Sequence, residues 1–365
     1  MKILRKYTFR ELLMPFFISL GLFTFMFLVG NLVKLADLIL NKGVNIFDVG
    51  MLLLLLMPKL LSFTLPMSAL TAVLLVFGGF AQSNEIIAMK ASGINIFRIM
   101  IPILLCGLVL SFVSLFINDH LIAKTRHEYR QKIKTMFVEN PSAYLEPGRF
   151  IKEFNNYVLL IQEIDGNKMG GITIYQTEDG KPIRTILADR GEILSSPEEK
   201  TLSLKLYEGT IDESNPDDPN VFYKLDFDTF VLPPLFIGKE SPKANAVNKK
   251  NKDMSVDELM SKLPGVQDER SRLKVEVELY KKISISMAPF VFVLIGLPLA
   301  IITRRGEPII SFSIALGLIS IYYISFVWTD TIAIEGVLPP VVALWLPNIV
   351  LSIAGIFLMV RVVKS

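Results

Sequence analysis

Six stretches of this chain contain no Asp, Glu, Lys or Arg, and each is 20 to 25 residues long. They are residues 12–33, 60–84, 99–118, 283–303, 308–329 and 336–360. An α-helix needs about 20 residues to cross the roughly 30 Å hydrocarbon core of a bilayer, whereas a buried helix of a soluble protein usually has a shorter apolar run. Because 52% of the residues are hydrophobic and cluster in these runs, the sequence predicts six membrane spans. The first run is too long for a signal peptide and is expected to remain as the first span.

The short connections between the runs differ in basic residues. Connections on one side of the membrane carry ten of them, which are Lys2, Arg5, Lys6, Arg10, Lys90, Arg98, Arg304, Arg305, Arg361 and Lys364. The opposite short connections, 41–48 and 330–335, hold only Lys42. Since Lys and Arg are enriched in cytoplasmic loops, both termini and segment 85–98 are predicted to be cytoplasmic. Residues 119–282 then lie on the outer side, and a segment of this length is exempt from the charge rule.

Residues between the third and fourth runs have a different pattern. Segments such as YVLLIQEIDGNK (157–168) and TLSLKLYEG (201–209) alternate apolar and polar residues, with turn signals at Asp165-Gly166 and Asp179-Gly180. Alternation with period two is typical of strands that bury one face. We expect seven or eight short strands between about 141 and 234, arranged as an all-β sandwich or jelly roll.

A Lys-rich linker and two helices are predicted after these strands. Ser255 and Glu258 have capping-box spacing, so SVDELMSKL should form a short helix, and DERSRLKVEVELYKK should continue directly into the fourth span. The expected fold is a membrane protein with six transmembrane α-helices (3+3) and an inserted all-β, jelly-roll-like domain. Its parts are spans 1–3 in residues 1–135, the β domain in 136–240, the linker and helix in 241–275, and spans 4–6 in 276–365.

Motifs for self-contained catalysis are missing from the sequence. The chain has no G-x-x-x-x-G-K-[ST] phosphate-binding loop and no G-x-S-x-G nucleophile elbow. His120 and His127 are seven residues apart, too far for a zinc pair on one helix. The six runs contain no ionisable side chain that an intramembrane hydrolase or an ion-coupled pump would use. We therefore expect no enzyme, no cofactor, no metal and no nucleic-acid partner.

A short polar segment, QSNEIIAMKASGINIFRI (82–99), separates the second and third runs. Ser83 is a candidate N-cap for a helix, Glu85 lies in the first turn, where the helix dipole favours an acid, and Gly93 can end the helix. Such a helix is either a tight interfacial turn or a rigid projection that a cytoplasmic motor can hold. The residues alone leave both interpretations open.

Several pieces of the chain resemble one known family. SNEIIAMKASG (83–93) is similar to the cytoplasmic segment of the LptF/LptG (YjgP/YjgQ) permeases, and the basic start, MPKLLSFTLPMSAL (57–70) and LYKKISISMAPFVFVLIGLPLAIITRRGE (279–307) agree in order. The resemblance covers essentially the whole chain. It makes 83–93 a coupling helix, and the residues that we assign to ATPase docking are Glu85, Ile86, Met89, Lys90, Ala91 and Gly93.

The resemblance also implies a function and a set of partners. Permeases of this family pair as a heterodimer with a paralogue over two copies of a cytoplasmic ABC ATPase. They extract lipopolysaccharide from the outer leaflet of the bacterial inner membrane and pass it to a periplasmic bridge protein. In that arrangement the inserted β domain is periplasmic, and the missing ATP-binding loop is explained because the motor is a separate chain.

A candidate lipid site lies at the outer end of the first span. The run 12–33 is about 33 Å long as a helix, so Lys34 is expected near the outer interface, with Asp37 at i+3. Lys34 is either a snorkelling lysine paired with Asp37 or a partner for lipid phosphates. The resemblance at VKLAD (33–37) supports the second interpretation. The residues that we assign to lipid binding are Lys34, Asp37, Lys42 and Lys59.

Other functions remain open at this point. A permease for another lipid or a lipoprotein would keep the coupling helix and change the lipid cavity. A membrane scaffold would use the β domain only for assembly. Within the family, VKLAD and LPPVVALWLPN (338–348) are more like LptG, whereas ELYKK (278–282) is more like LptF.

Overall fold

The computed structural model describes residues 2–40, 45–139, 145, 147–151, 156–178, 181–196, 201–214, 222–233, 251–303 and 307–364. Its helices are α1 (Lys2–Leu40), α2 (Ile46–Gln82), α3 (Glu85–Ala91), α4 (Phe97–Phe116), α5 (Ile122–Glu139), α6 (Val256–Lys262), α7 (Glu269–Ser286), α8 (Ala288–Thr303), α9 (Pro308–Ile334) and α10 (Pro340–Lys364). A π-helical turn, Ile117–Leu121, joins α4 to α5. Six helical segments in the described residues are long and apolar enough to cross a membrane, which confirms the predicted spans.

Two compact units make up the chain. The first comprises residues 1–32, 54–127 and 249–365, and the second comprises 33–53 and 128–248. The first unit holds most of the transmembrane helices, and the second holds the inserted β domain. In the first unit, the end of the spans that carries α3 and the C-terminus of α10 is called the α3 end below.

Helix α8 is the central helix of the first unit. Twelve of its sixteen residues are buried, as expected for a helix that is apolar on every side. Small residues let neighbouring helices approach it closely. A Cβ atom added at Gly355 of α10 would lie 3.1 Å from the backbone nitrogen of Ile295, and one at Gly296 would lie 2.8 Å from Leu70. Small residues allow this close approach between transmembrane helices, which the hydrophobic effect does not drive together inside the membrane.

Buried polar side chains tie three spans together. The amide of Asn348 in α10 donates to the carbonyl of Ser284 in α7 at 2.8 Å, and its oxygen accepts from Tyr322 in α9 at 3.1 Å. Ser284 Oγ in turn donates to the carbonyl of Leu344 at 2.5 Å. Because unsatisfied polar groups are costly in the membrane interior, this closed network favours one arrangement of α7, α9 and α10.

A second buried network lies beside the first, because Ser286 and Ser284 are two residues apart in α7. Asn118, in the π-helical turn, accepts from Ser62 of α2 at 2.8 Å and donates to Ser286 of α7 at 3.1 Å. Lys282, only 8% exposed, donates to the backbone carbonyls of Asn118 and Met254. Sequence reasoning did not identify Lys282, because a lysine next to an uncharged run looks like an ordinary interfacial residue.

The short helix α6 begins as the sequence predicts. The Ser255 side chain accepts from the backbone N–H of Glu258, and the Glu258 carboxylate accepts from the backbone N–H of Ser255, which forms a complete capping box. The backbone N–H of Val256 also donates to Asp119 at 2.5 Å. Helix α7 then continues into α8 as one span, Glu269–Thr303, as expected.

The inserted domain is all-β, as predicted. Its strands are β1 (Phe150–Ile151), β2 (Tyr157–Asp165), β3 (Lys168–Glu178), β4 (Lys181–Ser196), β5 (Thr201–Ser214) and β6 (Phe222–Val231). Each strand pairs antiparallel with the next, so the described strands form one six-stranded sheet in sequence order. The expected hairpin at Asp165-Gly166 is present, whereas Asp179-Gly180 lies outside the described residues.

The described strands are fewer and longer than the seven or eight short strands that we expected. Strand β4 has 16 residues and β5 has 14. Buried residues alternate along both strands, but the alternation shifts by one position part-way along each strand. In β4, the even-numbered Ile186 and the odd-numbered Ile193 are both buried. In β5, Leu206 and Ile211 are both buried. Glu208, with a φ of 53°, lies at the change in β5. Both strands therefore continue through the point where their alternation shifts, as a strand does at an irregularity of its backbone.

Candidate functional site: the short helix between the second and third spans

The chain reverses tightly between α2 and α3. Asn84 precedes α3 with a φ of 61°, a left-handed conformation that Asn adopts more readily than most residues. The prediction that Ser83 caps α3 is wrong, because Asn84 occupies the N-cap position without a side-chain cap bond. The Ser83 hydroxyl instead lies 2.9 Å from the carbonyl of Gly79, in the last turn of α2.

The other end of α3 is closed as the sequence predicts. Gly93 has a φ of 74°, where a residue with a side chain would be strained. Its N–H donates to the carbonyl of Lys90 at 2.9 Å, and the N–H of Ile94 donates to the carbonyl of Met89 at 3.0 Å. This is the Schellman pattern, which satisfies the last carbonyls of a helix. Helix α3 is thus a short element with a defined start and end.

The two faces of α3 have different environments. Ile86 is 5% exposed and Met89 is 9% exposed, and both belong to the hydrophobic core of the transmembrane helices. On the opposite face Ile87 is 46% exposed, and Ala88 and Ala91 are also exposed. Ile86 and Met89 therefore hold α3 against the spans, while Ile87, Ala88 and Ala91 form the surface that a partner can reach.

Lys90 connects α3 to the last span. Its ammonium group donates to the backbone carbonyl of Val362 at 3.0 Å, in the final turn of α10. That carbonyl lacks a partner within the helix, and the negative end of the helix dipole favours a cation there. Lys90 thus fixes α3 to α10 in addition to the apolar contacts of its buried face.

Glu85 is half-buried at the first position of α3 and borders a cavity of about 530 Å³. The cavity lies between α3, the first turns of α1 and the last turns of α2. Its walls include Tyr7, Arg10 and Glu11, and the Tyr7 ring stacks on Phe80 with centroids 5.7 Å apart. The Glu85 carboxylate is therefore accessible from an open, partly charged recess.

The four residues assigned to lipid binding are less well defined. Lys42 lies outside the described residues, as do the side chains of Lys34 and Asp37, although their backbone belongs to α1. Lys59 is exposed on α2. Because the side chains of three of the four residues are outside the described part, the assignment stays a prediction.

The interior of the β domain is filled by its own side chains. Leu159 and Ile161 of β2, and Ile174 of β3, have no exposed surface. The last described strand differs, because Tyr223 is 60% exposed and Leu225 is 58% exposed. Leu225 pairs with the buried Ile211 of β5, so apolar groups of the inward face are uncovered at this edge.

Comparison with known families gives one match over almost the whole chain. The family is described as lipopolysaccharide export system permease LptF/LptG, and it matches residues 6–361. The chain belongs to the LptF/LptG family. The match confirms the resemblance seen in the sequence, and it covers the six spans and the inserted β domain together.

Individual relatives are more distant. An uncharacterised protein of Rickettsia prowazekii is 24% identical over 196 residues, which are 53% of this chain and 54% of that protein. The lipopolysaccharide export permease LptG of Escherichia coli is 23% identical over 161 residues, 43% of this chain and 45% of the relative. LptG of Haemophilus influenzae is 24% identical over 157 residues, 42% and 44% of the two chains.

The chain spans about half the length of the curated relatives that it matches. Together with six apolar helices, membership of the LptF/LptG family makes it a multi-pass protein of the inner membrane. The family is one of transport subunits and not of catalytic enzymes.

Proposed function

We propose that the chain is the permease subunit of an ABC transporter that extracts lipopolysaccharide from the outer leaflet of the inner membrane. A separate cytoplasmic ATPase dimer drives it, a paralogous permease completes the membrane channel, and a periplasmic bridge protein receives the lipid. The observation that carries this proposal is α3, a short helix closed at its C-terminal end by Gly93, buried on one face and exposed on the other. The family match supports the lipid as cargo.

Force on α3 passes directly to the spans in this proposal. Ile86 and Met89 are embedded in the core of the transmembrane helices, and Lys90 bonds to the end of α10. Helix α10 is in turn packed against the backbone of α8 at Gly355 and bonded to α7 through Asn348. A displacement of α3 by the ATPase would therefore move α8 and α10 with it, because close-packed interfaces transmit strain.

The proposal requires α3 to face the cytoplasm and the β domain to face the periplasm. Ten basic residues against one in the short connections support this orientation. Single cysteines at the exposed Ala91 and at Asn167, in the hairpin between β2 and β3, test it after Cys106 is replaced by serine. A membrane-impermeant maleimide should label Asn167→Cys in intact spheroplasts and Ala91→Cys only after lysis. Labelling of both from the same side would contradict the orientation.

ATPase docking through Glu85 is tested by charge reversal. A carboxylate that borders an open recess at the start of a helix can accept charge-assisted bonds from an Arg or Lys of the ATPase. Glu85→Lys should therefore cost about 2–5 kcal/mol of binding, since the partner's cation is left buried and unpaired. If Glu85 only favours the dipole of its own helix, the effect should be about 0.3–1 kcal/mol. The measurement is retention of the ATPase on the membrane-extracted permease.

Glu307→Lys is the matched control. Glu307 is exposed in the connection before α9 and precedes that helix without a side-chain cap bond. The control makes the same change of charge outside α3 and should retain the ATPase. Equal retention by Glu85→Lys and Glu307→Lys would remove Glu85 from the docking site. A permease that never co-purifies with an ATPase would instead support the membrane scaffold, and a different co-purified lipid would support another cargo.

Transfer of lipid through the β domain needs a change in that domain. Because Leu159, Ile161 and Ile174 are fully buried, an acyl chain can enter only if side chains of the interior move apart. The apolar residues of β6 are already uncovered, so opening the domain at this edge costs the least free energy. The same edge can pair with a strand of the bridge protein. We therefore propose β6 as the exit side of the domain.

A further inference from the structure

A second cavity at the α3 end is given no ligand by the function proposed above. It has a volume of about 270 Å³ and lies between α3 and the ends of α2, α8 and α10. Two cations, Lys90 and Arg361, line it together with apolar side chains that include Ile87, Ile301 and Ile302. No carboxylate borders this cavity in the part of the chain that the structure describes.

The two cations are available to an anion. Lys90 uses one of its three N–H donors on the carbonyl of Val362, which fixes the ammonium group at the cavity wall. Arg361 brings a planar group with five donors. Within the described ranges, neither side chain has a carboxylate at ion-pair distance. The chain also continues from α8 into Arg304 and Arg305, so the local sequence carries additional positive charge.

Apolar surface flanks the cations at the same opening. Ile87 is 46% exposed and Ile302 is 43% exposed. Arg361 directly follows the uncharged run 336–360, and Ile301 and Ile302 lie at the end of the run 283–303, so the cavity is at the level of the membrane interface. A soluble anion would satisfy the cations and leave Ile302 uncovered.

We propose that this cavity binds the phosphate group of an anionic phospholipid from the membrane leaflet at the α3 end, with the acyl chains lying against Ile302. Basic pockets between transmembrane helices on the cytoplasmic side recognise such head groups by charge, and the flanking apolar surface matches the chains. The bound lipid would join α3 to α10 beside the bond from Lys90 to Val362. The composition of the leaflet would then influence how firmly α3 is held.

The test compares phosphatidylglycerol with phosphatidylcholine on the intact, purified transporter. Native mass spectrometry in mild detergent should show retained phosphatidylglycerol and little phosphatidylcholine. Arg361→Gln should reduce the retention of phosphatidylglycerol about tenfold, the loss expected for one hydrogen bond to a charged group. Arg361→Lys, which keeps the charge, should retain most of the lipid.

Lys364→Gln is the matched control, since Lys364 is exposed near the end of the same helix and does not line the cavity. It should bind phosphatidylglycerol as the wild type does. Equal loss in Arg361→Gln and Lys364→Gln would overturn the proposal in favour of diffuse charge attraction. Competition by inorganic phosphate at the same concentration as the lipid would overturn it in favour of a simple anion site. A photo-crosslinker at Ile302 that captures the ATPase in place of lipid would also overturn it.

Discussion

Two adjacent isoleucines of α3 lie in different environments, so substituting each one can distinguish ATPase docking from folding of the permease. Ile86 is 5% exposed and packs into the transmembrane core, whereas Ile87 is 46% exposed on the other face. If the exposed face of α3 binds the ATPase, Ile87→Ala should weaken that binding and leave the permease folded. Ile86→Ala should instead lower the stability of the permease itself.

The size of each effect follows from burial. Complete burial of an isoleucine side chain is worth about 1.5–3 kcal/mol, and the 46% of Ile87 that a partner can cover is worth about 0.7–1.4 kcal/mol. Since about 1.4 kcal/mol changes an affinity tenfold, Ile87→Ala should weaken ATPase binding about three- to tenfold. Ile86→Ala removes a side chain from a packed core and should cost about 2–5 kcal/mol of unfolding free energy.

The assay titrates purified ATPase onto the permease complex in nanodiscs and follows thermal unfolding of the same samples. Ile309→Ala is the control, because Ile309 is 81% exposed near the start of α9 and does not belong to α3. It should change neither quantity. Unchanged ATPase affinity in Ile87→Ala would refute docking through the exposed face. Weaker binding accompanied by a lower melting temperature would mean that Ile87 contributes to the fold and not to an interface.

Two further predictions concern the lipid path. A photo-crosslinker at Leu225, on the uncovered edge of β6, should trap lipid or the bridge protein only when ATP is supplied. A photo-crosslinker at Lys224, on the other face of the strand, should trap neither. Crosslinks that never depend on ATP would mean that the domain is passive in transport. Lys34→Glu should weaken lipopolysaccharide binding and stall export while the ATPase stays bound. Full recovery of export on adding Asp37→Lys would show that Lys34 only pairs locally and has no role in the lipid site.

Much of the fold could be read from local patterns. The capping box of Ser255 and Glu258 was found because it depends on residues three apart in the sequence. Gly93 was found as the end of α3 because few other residues adopt a positive φ at low cost. The N-cap of α3 was predicted wrongly, because Ser83 and Asn84 are both good capping residues. The tight reversal from α2 places Asn84 at this position, in the left-handed conformation.

The candidate site was only half determined in this way. Spacing places Ile86 and Met89 on one face and Ile87 on another, but both faces are apolar, and spacing does not say which one meets the core. The structure buries the face of Ile86 and Met89, so the surface offered to a partner is the opposite one. The role of Lys90 was also hidden, because its partner Val362 is 272 residues away in the sequence.

The sequence by itself determined that the chain crosses a membrane six times and carries an inserted β domain. Long runs of uncharged residues and alternation with period two are local properties, so they can be read without the tertiary structure. Only the tertiary structure decided how α3 is attached to the spans, which of its faces remains open, and that Lys90 and Arg361 border one cavity. Those features depend on helix ends that are distant in the chain and meet only when α2, α8 and α10 pack together.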